Sequence, residues 1–380
     1  MLVSLGLIIL GGYVLSLVAR KLHLPPLVGM LVGGILMGPC VLNVLDGSIY
    51  TISADIRKMA LIVILLKAGL SLDLNDLKKV GRPAVCLSFL PATFELLGCT
   101  LLAPMFFGIS YGEGALLGSI LAAVSPAVVV PKMTELMDKK KGTDRAIPQM
   151  ILAGASLDDI YVMVLFSAFL KIVLTGDFNA MSLLDVPVSI ITGIAGGYAV
   201  GKVLSKLIND LPTLTQFIVV TGCAFLVSGL ESLLPFGFSG LLAVMMMGNQ
   251  LRETELKDVY NKVWGMAQIF LFVLVGAAVD LSVVGSTGLT AVIFIICCLG
   301  VRTIGVILSL AGTSFTFKEK LFIVVAYIPK ATVQAAIGGI PLMSGVASGN
   351  LMLSVAVVSI LFCAPIGAIG MDWLEDRCLQ

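Results

Sequence analysis

Two adjacent aspartates, Asp158 and Asp159, lie in the middle of an apolar stretch, ASLDDIYVMVLF. Neighbouring residues on a helix point about 100° apart, so the two carboxylates face different surroundings. One can pair with a cation while the other faces a cavity. A partly buried carboxylate can hold either a proton or a hard cation through its oxygens. Mutually exclusive occupancy by H⁺ and Na⁺ would couple the two ions; a buried structural polar pair is the alternative.

Prolines interrupt two other apolar segments. Pro126 and Pro131 lie in SPAVVVPK, and Pro329 precedes the polar residues of KATVQ. Proline removes a backbone donor, and non-helical backbone survives at membrane depth only where protein or water satisfies it. We therefore predict two broken helices that cross at one depth, with Ser125 and Thr332 as nearby hydroxyls for an ion. A simple proline kink is the alternative for either segment.

Five further charged residues lie inside apolar segments, where an ionised side chain costs about 2.5–3.5 kcal/mol on insertion scales. Lys330 follows the second break and can neutralise one of the two aspartates. Glu95 and Arg302 have opposite signs, which predicts an ion pair between their helices; snorkelling of Arg302 is the alternative. Lys67 and Lys132 lie near segment ends, where snorkelling to the lipid interface is expected.

The composition excludes several classes of protein. Of the 380 residues, 58% are hydrophobic and 12% are charged, whereas an ordinary soluble domain has about 25% charged residues. The chain has too few charges to cover a water-facing surface, which excludes a soluble enzyme and a disordered protein. The net charge of +1 indicates no nucleic-acid partner. The cysteines show no CxxC or Cys/His spacing, so we expect no metal cluster and no cofactor.

A transmembrane helix needs about 20 mostly apolar residues. We therefore predict an all-α, polytopic protein of the cell membrane with about thirteen transmembrane helices, of which the third and the ninth are short. The predicted spans lie near 1–19, 25–43, 58–72, 83–108, 112–137, 147–175, 186–208, 213–232, 234–250, 261–281, 287–312, 318–346 and 350–371.

The lysines and arginines between these spans or near their ends predict the orientation. All of them except Arg57, Lys58 and Lys171 fall in the C-terminal tail or on the side that follows the odd-numbered spans. Lysine and arginine concentrate in cytoplasmic loops. We therefore predict that the N-terminus lies outside and the C-terminus lies in the cytoplasm.

The sequence also repeats weakly, with an offset of 207 residues that brings Asp73 onto Asp280 and Glu95 onto Arg302. The same offset brings the two proline-containing segments close to each other. Six helices followed by a linking seventh reverse the topology of the second copy, as in many secondary transporters. We predict two inverted six-helix repeats; chance similarity between apolar helices is the alternative.

Together these motifs resemble the monovalent cation/proton antiporter superfamily, specifically the sodium/proton exchangers of the branch shared by bacterial antiporters and animal NHA-type exchangers. The resemblance covers nearly the whole chain through SPAVVVPKM, ASLDDI and IPKATVQAAIGG. It implies secondary active exchange of Na⁺ or Li⁺ for H⁺ by alternating access, a role in pH homeostasis, and a homodimer in the lipid bilayer.

The resemblance also implies roles for individual residues. Asp159 would be the principal site for Na⁺ and H⁺. Asp158 would be its neighbour in that site and would pair with Lys330. Glu95 and Arg302 would form an ion pair with a structural or gating role.

The resemblance further implies two functional domains. Residues 1–78 and 179–285 would form a scaffold and dimerisation domain, the second part including the linker helix. Residues 79–178 and 286–380 would form the ion-translocation core, with one repeat in each part.

Two other transport functions stay open at this point. K⁺/H⁺ exchange is one, because nothing in the sequence measures the size of the ion cavity. An organic anion symporter with a similar inverted-repeat fold is the other, although an anion site would need a surplus of positive charge. The sequence has no HExxH, GxSxG or Cys/His cluster, so we expect no enzymatic activity.

Overall fold

The structure is a computed structural model that describes residues 1–71, 81–176, 180–234, 237–252 and 255–379. Asp73 of the predicted repeat and the predicted domain boundaries at 78/79 and 178/179 lie outside these residues. The third predicted boundary, at 285/286, falls inside a helix that begins at Leu281.

The described residues are almost entirely helical. In the first half of the chain the helices are α1 (Leu2–Lys21), α2 (Pro26–Met37), α3 (Gly47–Ser71), α4 (Arg82–Leu87), α5 (Leu90–Phe107), α6 (Tyr111–Leu121), α7 (Pro126–Asp138), α8 (Ile147–Thr175) and α9 (Ala180–Ile208). In the second half they are α10 (Thr213–Gly229), a 3₁₀ turn (Leu230–Ser232), α11 (Gly240–Asn249), α12 (Leu256–Ala277), α13 (Leu281–Ser309), α14 (Phe317–Ala326), α15 (Thr332–Ile337), α16 (Ile340–Met343) and α17 (Gly349–Cys378).

Many of these helices are long and apolar enough to cross a membrane, which confirms the prediction of an all-α, polytopic membrane protein. Among the described residues, the segments that meet this length and composition are Leu2–Lys21, Arg82–Phe107, Tyr111–Asp138, Val188–Ile208, Leu256–Ala277, Leu281–Ser309 and Gly349–Cys378. Shorter apolar helices lie between them, so the number of thirteen spans stays a prediction.

Two of the predicted spans are broken in the middle. The first consists of α6 and α7, separated by residues 122–125, and the second consists of α14 and α15, separated by residues 327–331. Pro126 is the first residue of α7, where a helix does not use the missing N–H. Pro329 lies inside the second break. Contrary to expectation, Pro131 does not break the helix. The helix α7 continues through it and loses a single hydrogen bond.

The first halves of both broken helices begin with the same local structure. Ser110 accepts a hydrogen bond from the backbone of Glu113, whose carboxylate accepts one from the backbone of Ser110. Thr316 and Glu319 form the same reciprocal pair at the start of α14. A capping box of this kind satisfies two otherwise unpaired N–H groups and sets the first residue of a helix. Related positions in the two repeats therefore have related sequences and related structures.

The packing of the helices divides the described residues into two groups. Group 1 contains α1–α3 and α9–α12; α2 packs against α1 and α12, and α11 packs against α3 and α9. Group 2 contains α4–α8 and α13–α17; α5 packs against α6 and α13, and α17 packs against α13 and α14. Contacts between the groups are fewer, and they involve α8, α15 and α17 of group 2.

Within group 1, α2 and α12 pack backbone against backbone. A Cβ atom on Gly34 would collide with the carbonyl oxygen of Val273, and one on Gly276 would collide with that of Leu31. Glycine at both positions permits this approach because small residues let membrane helices come together closely. The interface therefore tolerates no side chain at either position.

We expect Gly34→Ala to lower the thermal stability of the purified protein by about 1–3 kcal/mol, because the added methyl group meets backbone atoms that cannot rotate away. Gly222→Ala on α10 is a matched control, since a Cβ there has open space around it. The measurement is the thermal unfolding midpoint in detergent. Equal midpoints for the two variants would contradict the close packing of α2 and α12.

Candidate ion-binding site

The two helix breaks lie against each other at the centre of group 2. The backbone N–H of Ser125, in the first break, donates to the carbonyl oxygen of Pro329, in the second, at 2.8 Å. Arg302, on α13, donates from Nε to the carbonyl oxygen of Tyr327 at 2.8 Å. The structure therefore contains the crossed broken helices that the proline spacing predicts.

Side chains satisfy the carbonyl groups at the end of α6. The carbonyl oxygen of Leu121 accepts hydrogen bonds from Lys330 Nζ at 2.5 Å and from Gln334 Nε2 at 3.3 Å. Gln334 also donates to the carbonyl oxygen of Ala123 at 2.9 Å, and Arg302 Nη1 donates to that of Ala122. The last carbonyls of a helix have no partner inside the helix and form its negative end. Here two cationic side chains and one amide donate the hydrogen bonds that these carbonyls lack.

Glu95, on α5, binds both of these cations. Arg302 Nη1 lies 2.7 Å from Glu95 Oε2, and Lys330 Nζ lies 2.7 Å from Glu95 Oε1. Glu95 and Lys330 are fully buried and Arg302 is 2% exposed. The structure thus brings Glu95 and Arg302 together as expected, and the guanidinium does not snorkel to the lipid interface.

Lys330 does not pair with Asp158, contrary to expectation. Within the described part of the chain, the ion pair of Lys330 is with Glu95, and Asp158 Oδ2 lies 3.6 Å from Arg302 Nη2. Asp158 Oδ2 also accepts a hydrogen bond from the backbone N–H of Val124 at 2.8 Å. The reason is geometric: a forked guanidinium can reach two carboxylates, whereas the compact ammonium of Lys330 is held between Glu95 and the end of α6.

Asp159 has quite different surroundings from its neighbour. Its side chain is 7% exposed, and Oδ1 is buried without a hydrogen-bond partner. In the ranges that the structure describes, no lysine or arginine forms an ion pair with it. The two aspartates therefore differ as their position on a helix predicts, since one faces a cation and the other does not.

The two hydroxyl residues lie at the breaks. Ser125 is the residue before α7 and is fully buried, with its Oγ unpaired, and Thr332 is the first residue of α15. Among the described residues, neither hydroxyl is hydrogen-bonded to an aspartate. Both residues therefore lie next to the point where the two broken helices cross.

Sequence reasoning missed the role of Gln334. It recognised the polar segment KATVQ but not that this amide satisfies the carbonyls of another helix. The spacing contained the signal, because Lys330 and Gln334 are four residues apart and both reach the end of α6.

Lys132 forms ion pairs with carboxylates instead of snorkelling to the lipid interface as expected. It is 9% exposed, and its Nζ lies 2.6 Å from Asp372 and 2.5 Å from Glu375, near the end of α17. Glu135, one turn further along α7, lies 3.4 Å away. The carboxylates on α17 are far from Lys132 in the sequence. The residues around Lys132 therefore do not predict this contact.

Two cavities lie between the two groups of helices. The first has a volume of about 760 Å³, and its lining includes Arg57 of α3, Phe166 of α8 and Ile340 of α16. The second has a volume of about 650 Å³, and its lining includes Arg20 of α1 and Lys132 of α7. Phe166 follows Asp159 by seven residues, so the two lie on the same face of α8, two turns apart.

Comparison with known proteins shows what the chain is related to. It matches the family model for the transmembrane region of sodium/hydrogen exchangers over residues 6–374. Human sodium/hydrogen exchanger 9B2 is 33% identical over 403 residues, covering 98% of this chain and 73% of that protein. Human sodium/hydrogen exchanger 9B1 is 33% identical over 397 residues, covering 98% and 76%.

A solved structure has the same fold. The sodium proton antiporter MjNhaP1 from Methanocaldococcus jannaschii at pH 8 superimposes with a TM-score of 0.84 at 23% sequence identity, covering 98% of this chain and 97% of that chain. The resemblance to monovalent cation/proton antiporters that the sequence motifs indicate is thereby confirmed. With a family match along almost its full length and relatives one-third identical in sequence, this chain belongs to the transmembrane sodium/hydrogen exchangers, which exchange a cation for protons.

Proposed function

We propose that this protein is a secondary active antiporter that exchanges Na⁺, or Li⁺, for H⁺ by alternating access. The observation that supports the proposal most directly is the contrast between the two aspartates. Asp158 faces Arg302, whereas Asp159 is buried and has no counter-charge among the described residues. An uncompensated buried carboxylate is unfavourable, so Asp159 gains free energy from binding either a proton or a cation.

The charged cluster that includes Asp158 has a supporting role in this proposal. Glu95 and Asp158 carry two negative charges, and Arg302 and Lys330 carry two positive charges. Their sum is zero when all are ionised, so this cluster needs no transported ion to balance it. A charge at Asp159 is then the one that Na⁺ or H⁺ must neutralise.

The ends of the broken helices provide further oxygen atoms for the cation. Asp158 accepts from Val124, which places the first break beside the aspartates, and the buried hydroxyl of Ser125 follows directly. In this proposal Ser125, Thr332 and Asp158 assist Asp159 in binding Na⁺. Hard cations take oxygen ligands of these kinds.

The two groups of helices and the cavities between them suit alternating access. In this proposal group 2 is the ion-translocation core and moves against group 1, the scaffold. The third boundary between them then lies before α13, which begins at Leu281, and not at 285/286. With the N-terminus outside, the larger cavity opens outward and the smaller one opens to the cytoplasm. The scaffold forms a homodimer in the cell membrane, and exchange contributes to pH homeostasis.

The direct test is proton flux in liposomes that contain the purified protein and a pH-sensitive dye. After a proton gradient is established, we expect Na⁺ and Li⁺ to dissipate it and K⁺ to have little effect. A larger response to K⁺ than to Na⁺ would contradict the proposed selectivity while leaving cation/proton exchange intact.

We expect Asp159→Asn to abolish exchange without unfolding the protein, because a neutral amide cannot alternate between a proton and a cation. Asp158→Asn should give a partial loss, since Asp158 holds Arg302 and the break. Asp144→Asn, in an exposed loop, is the control and should behave like the wild type. Flux in liposomes and thermal unfolding are measured for all three. Wild-type flux in Asp159→Asn would exclude it as the ion site.

If Na⁺ and H⁺ compete for one carboxylate, the apparent KM for Na⁺ should depend on pH. In the range where the site is protonated, each tenfold rise in proton concentration should raise KM up to tenfold, or about 1.4 kcal/mol. At higher pH the KM should level off, because no proton remains to be displaced. The measurement is the KM for Na⁺ in liposomes between about pH 6 and 9, a window that spans neutral pH. A KM that is constant throughout would indicate separate sites.

The charged cluster should behave as a unit in stability measurements. Glu95→Gln leaves two cations facing one carboxylate, and loss of one partner of a buried ion pair costs about 3–5 kcal/mol. Glu95→Gln combined with Lys330→Gln restores a sum of zero, so the double variant should be more stable than the sum of the two single losses predicts. The thermal unfolding midpoints decide this, and strictly additive losses would show that the two charges do not interact.

A further inference from the structure

Three buried polar atoms beside the charged cluster have no hydrogen-bond partner among the described residues. They are Asp158 Oδ1, Tyr327 Oη and Arg302 Nη2, from α8, the second break and α13. Buried polar atoms are nearly always paired with protein or with an ordered water molecule. Where such atoms lie close together, one ordered water molecule can be their shared partner.

The hydroxyl of Tyr327 lies over the same face of α8 as Asp158. The hydroxyl of Tyr327 lies against Gly154, where a Cβ atom would collide with it. Asp158 follows Gly154 by four residues, one helical turn. Side chains on a helix lean toward its N-terminus, so the carboxylate of Asp158 leans toward the turn that the tyrosine hydroxyl contacts.

Arg302 spans the same region from the other side. Its Nη2 lies 3.6 Å from Asp158 Oδ2, too long for a direct hydrogen bond. Its guanidinium carbon lies 5.6 Å from the centre of the Tyr327 ring. One residue therefore touches both of the others while keeping a donor free.

We propose that Asp158 Oδ1, Tyr327 Oη and Arg302 Nη2 bind one ordered water molecule, and that Tyr327 is a positioning residue for Asp158. The water accepts hydrogen bonds from the tyrosine hydroxyl and from the guanidinium, and it donates to the carboxylate. A buried water needs two to four polar partners, and this site supplies three. Asp158 Oδ2 already accepts a hydrogen bond from the backbone N–H of Val124, so the water provides the hydrogen bond for the other oxygen, Oδ1.

The expected consequence for exchange rests on the proposed role of Asp158 in the ion site. Tyr327→Phe removes the hydroxyl and leaves the charged groups around Asp158 in place: Arg302 from α13, Glu95 from α5, Lys330 from the second break and Asp159 from α8. Without the hydroxyl, the water keeps only two of its three partners and holds the carboxylate of Asp158 less firmly. We therefore expect Na⁺ to bind more weakly, while the charges of the cluster stay unchanged.

The test compares Tyr327→Phe with Tyr260→Phe. Tyr260 is also buried, but its hydroxyl pairs with Thr221 at 2.7 Å in group 1. We expect Tyr327→Phe to raise the apparent KM for Na⁺ severalfold at constant pH with little change in the maximal rate, and Tyr260→Phe to leave both unchanged. An unchanged KM in Tyr327→Phe, or an equal change in both variants, would overturn the positioning role.

A thermal double-mutant cycle tests the water site independently of transport. Tyr327→Phe and Asp158→Asn should lower the unfolding midpoint by less in combination than the sum of their separate effects, whereas Tyr260→Phe and Asp158→Asn should be additive. Additive losses for the first pair would overturn the site. If Asp158→Asn exchanged ions like the wild type, the proposed role of Asp158 would fail, and the cycle would still decide on the water.

A high-resolution map of the wild-type protein provides a second measurement that needs no variant. Density for a water molecule within hydrogen-bond distance of all three atoms would support the site. A map of that quality without such density would overturn it.

Discussion

The central constraint on this structure is that two helices end inside the membrane. A bilayer offers no water to the carbonyl groups at such an end, so the protein must satisfy them itself. Lys330, Gln334 and Arg302 do so for the end of α6. Two cations at this depth in turn require carboxylates, and Glu95 and Asp158 supply them. The charged cluster therefore follows from the breaks, and the breaks follow from the positions of Pro126 and Pro329.

This network of paired groups ends at Asp158, one residue before Asp159. Each member of the cluster is held by at least one other member or by the backbone of a break, whereas Asp159 lies beside the cluster and outside its pairing. Placing adjacent aspartates on one helix thus yields two carboxylates with different surroundings. Asp158 contacts Arg302 and the backbone of the first break, whereas Asp159 has no such partner among the described residues.

Much of this arrangement could be predicted from the sequence, because burying a charge or a proline in an apolar segment is rare and therefore informative. The crossing, the Glu95–Arg302 pair and the polytopic all-helical fold are of this kind. The partners of Lys330 and Lys132 could not be predicted, since both depend on which carboxylate a distant helix brings within reach. Pro131 shows another limit. Its residue type suggests a helix break, but the break lies just before Pro126, where α7 begins, and α7 continues through Pro131.

The glycine contacts between α2 and α12 have a mechanical consequence for the whole protein. Where two backbones touch directly, there is no layer of side chains that could change rotamer and let one helix slide past the other. Displacing α2 by a single residue would drive carbonyl oxygens into the opposite chain. Group 1 is therefore stiff along this seam. In the proposed alternating access, relative motion is concentrated at the cavity-lined boundary with group 2, where the surfaces can separate without such collisions.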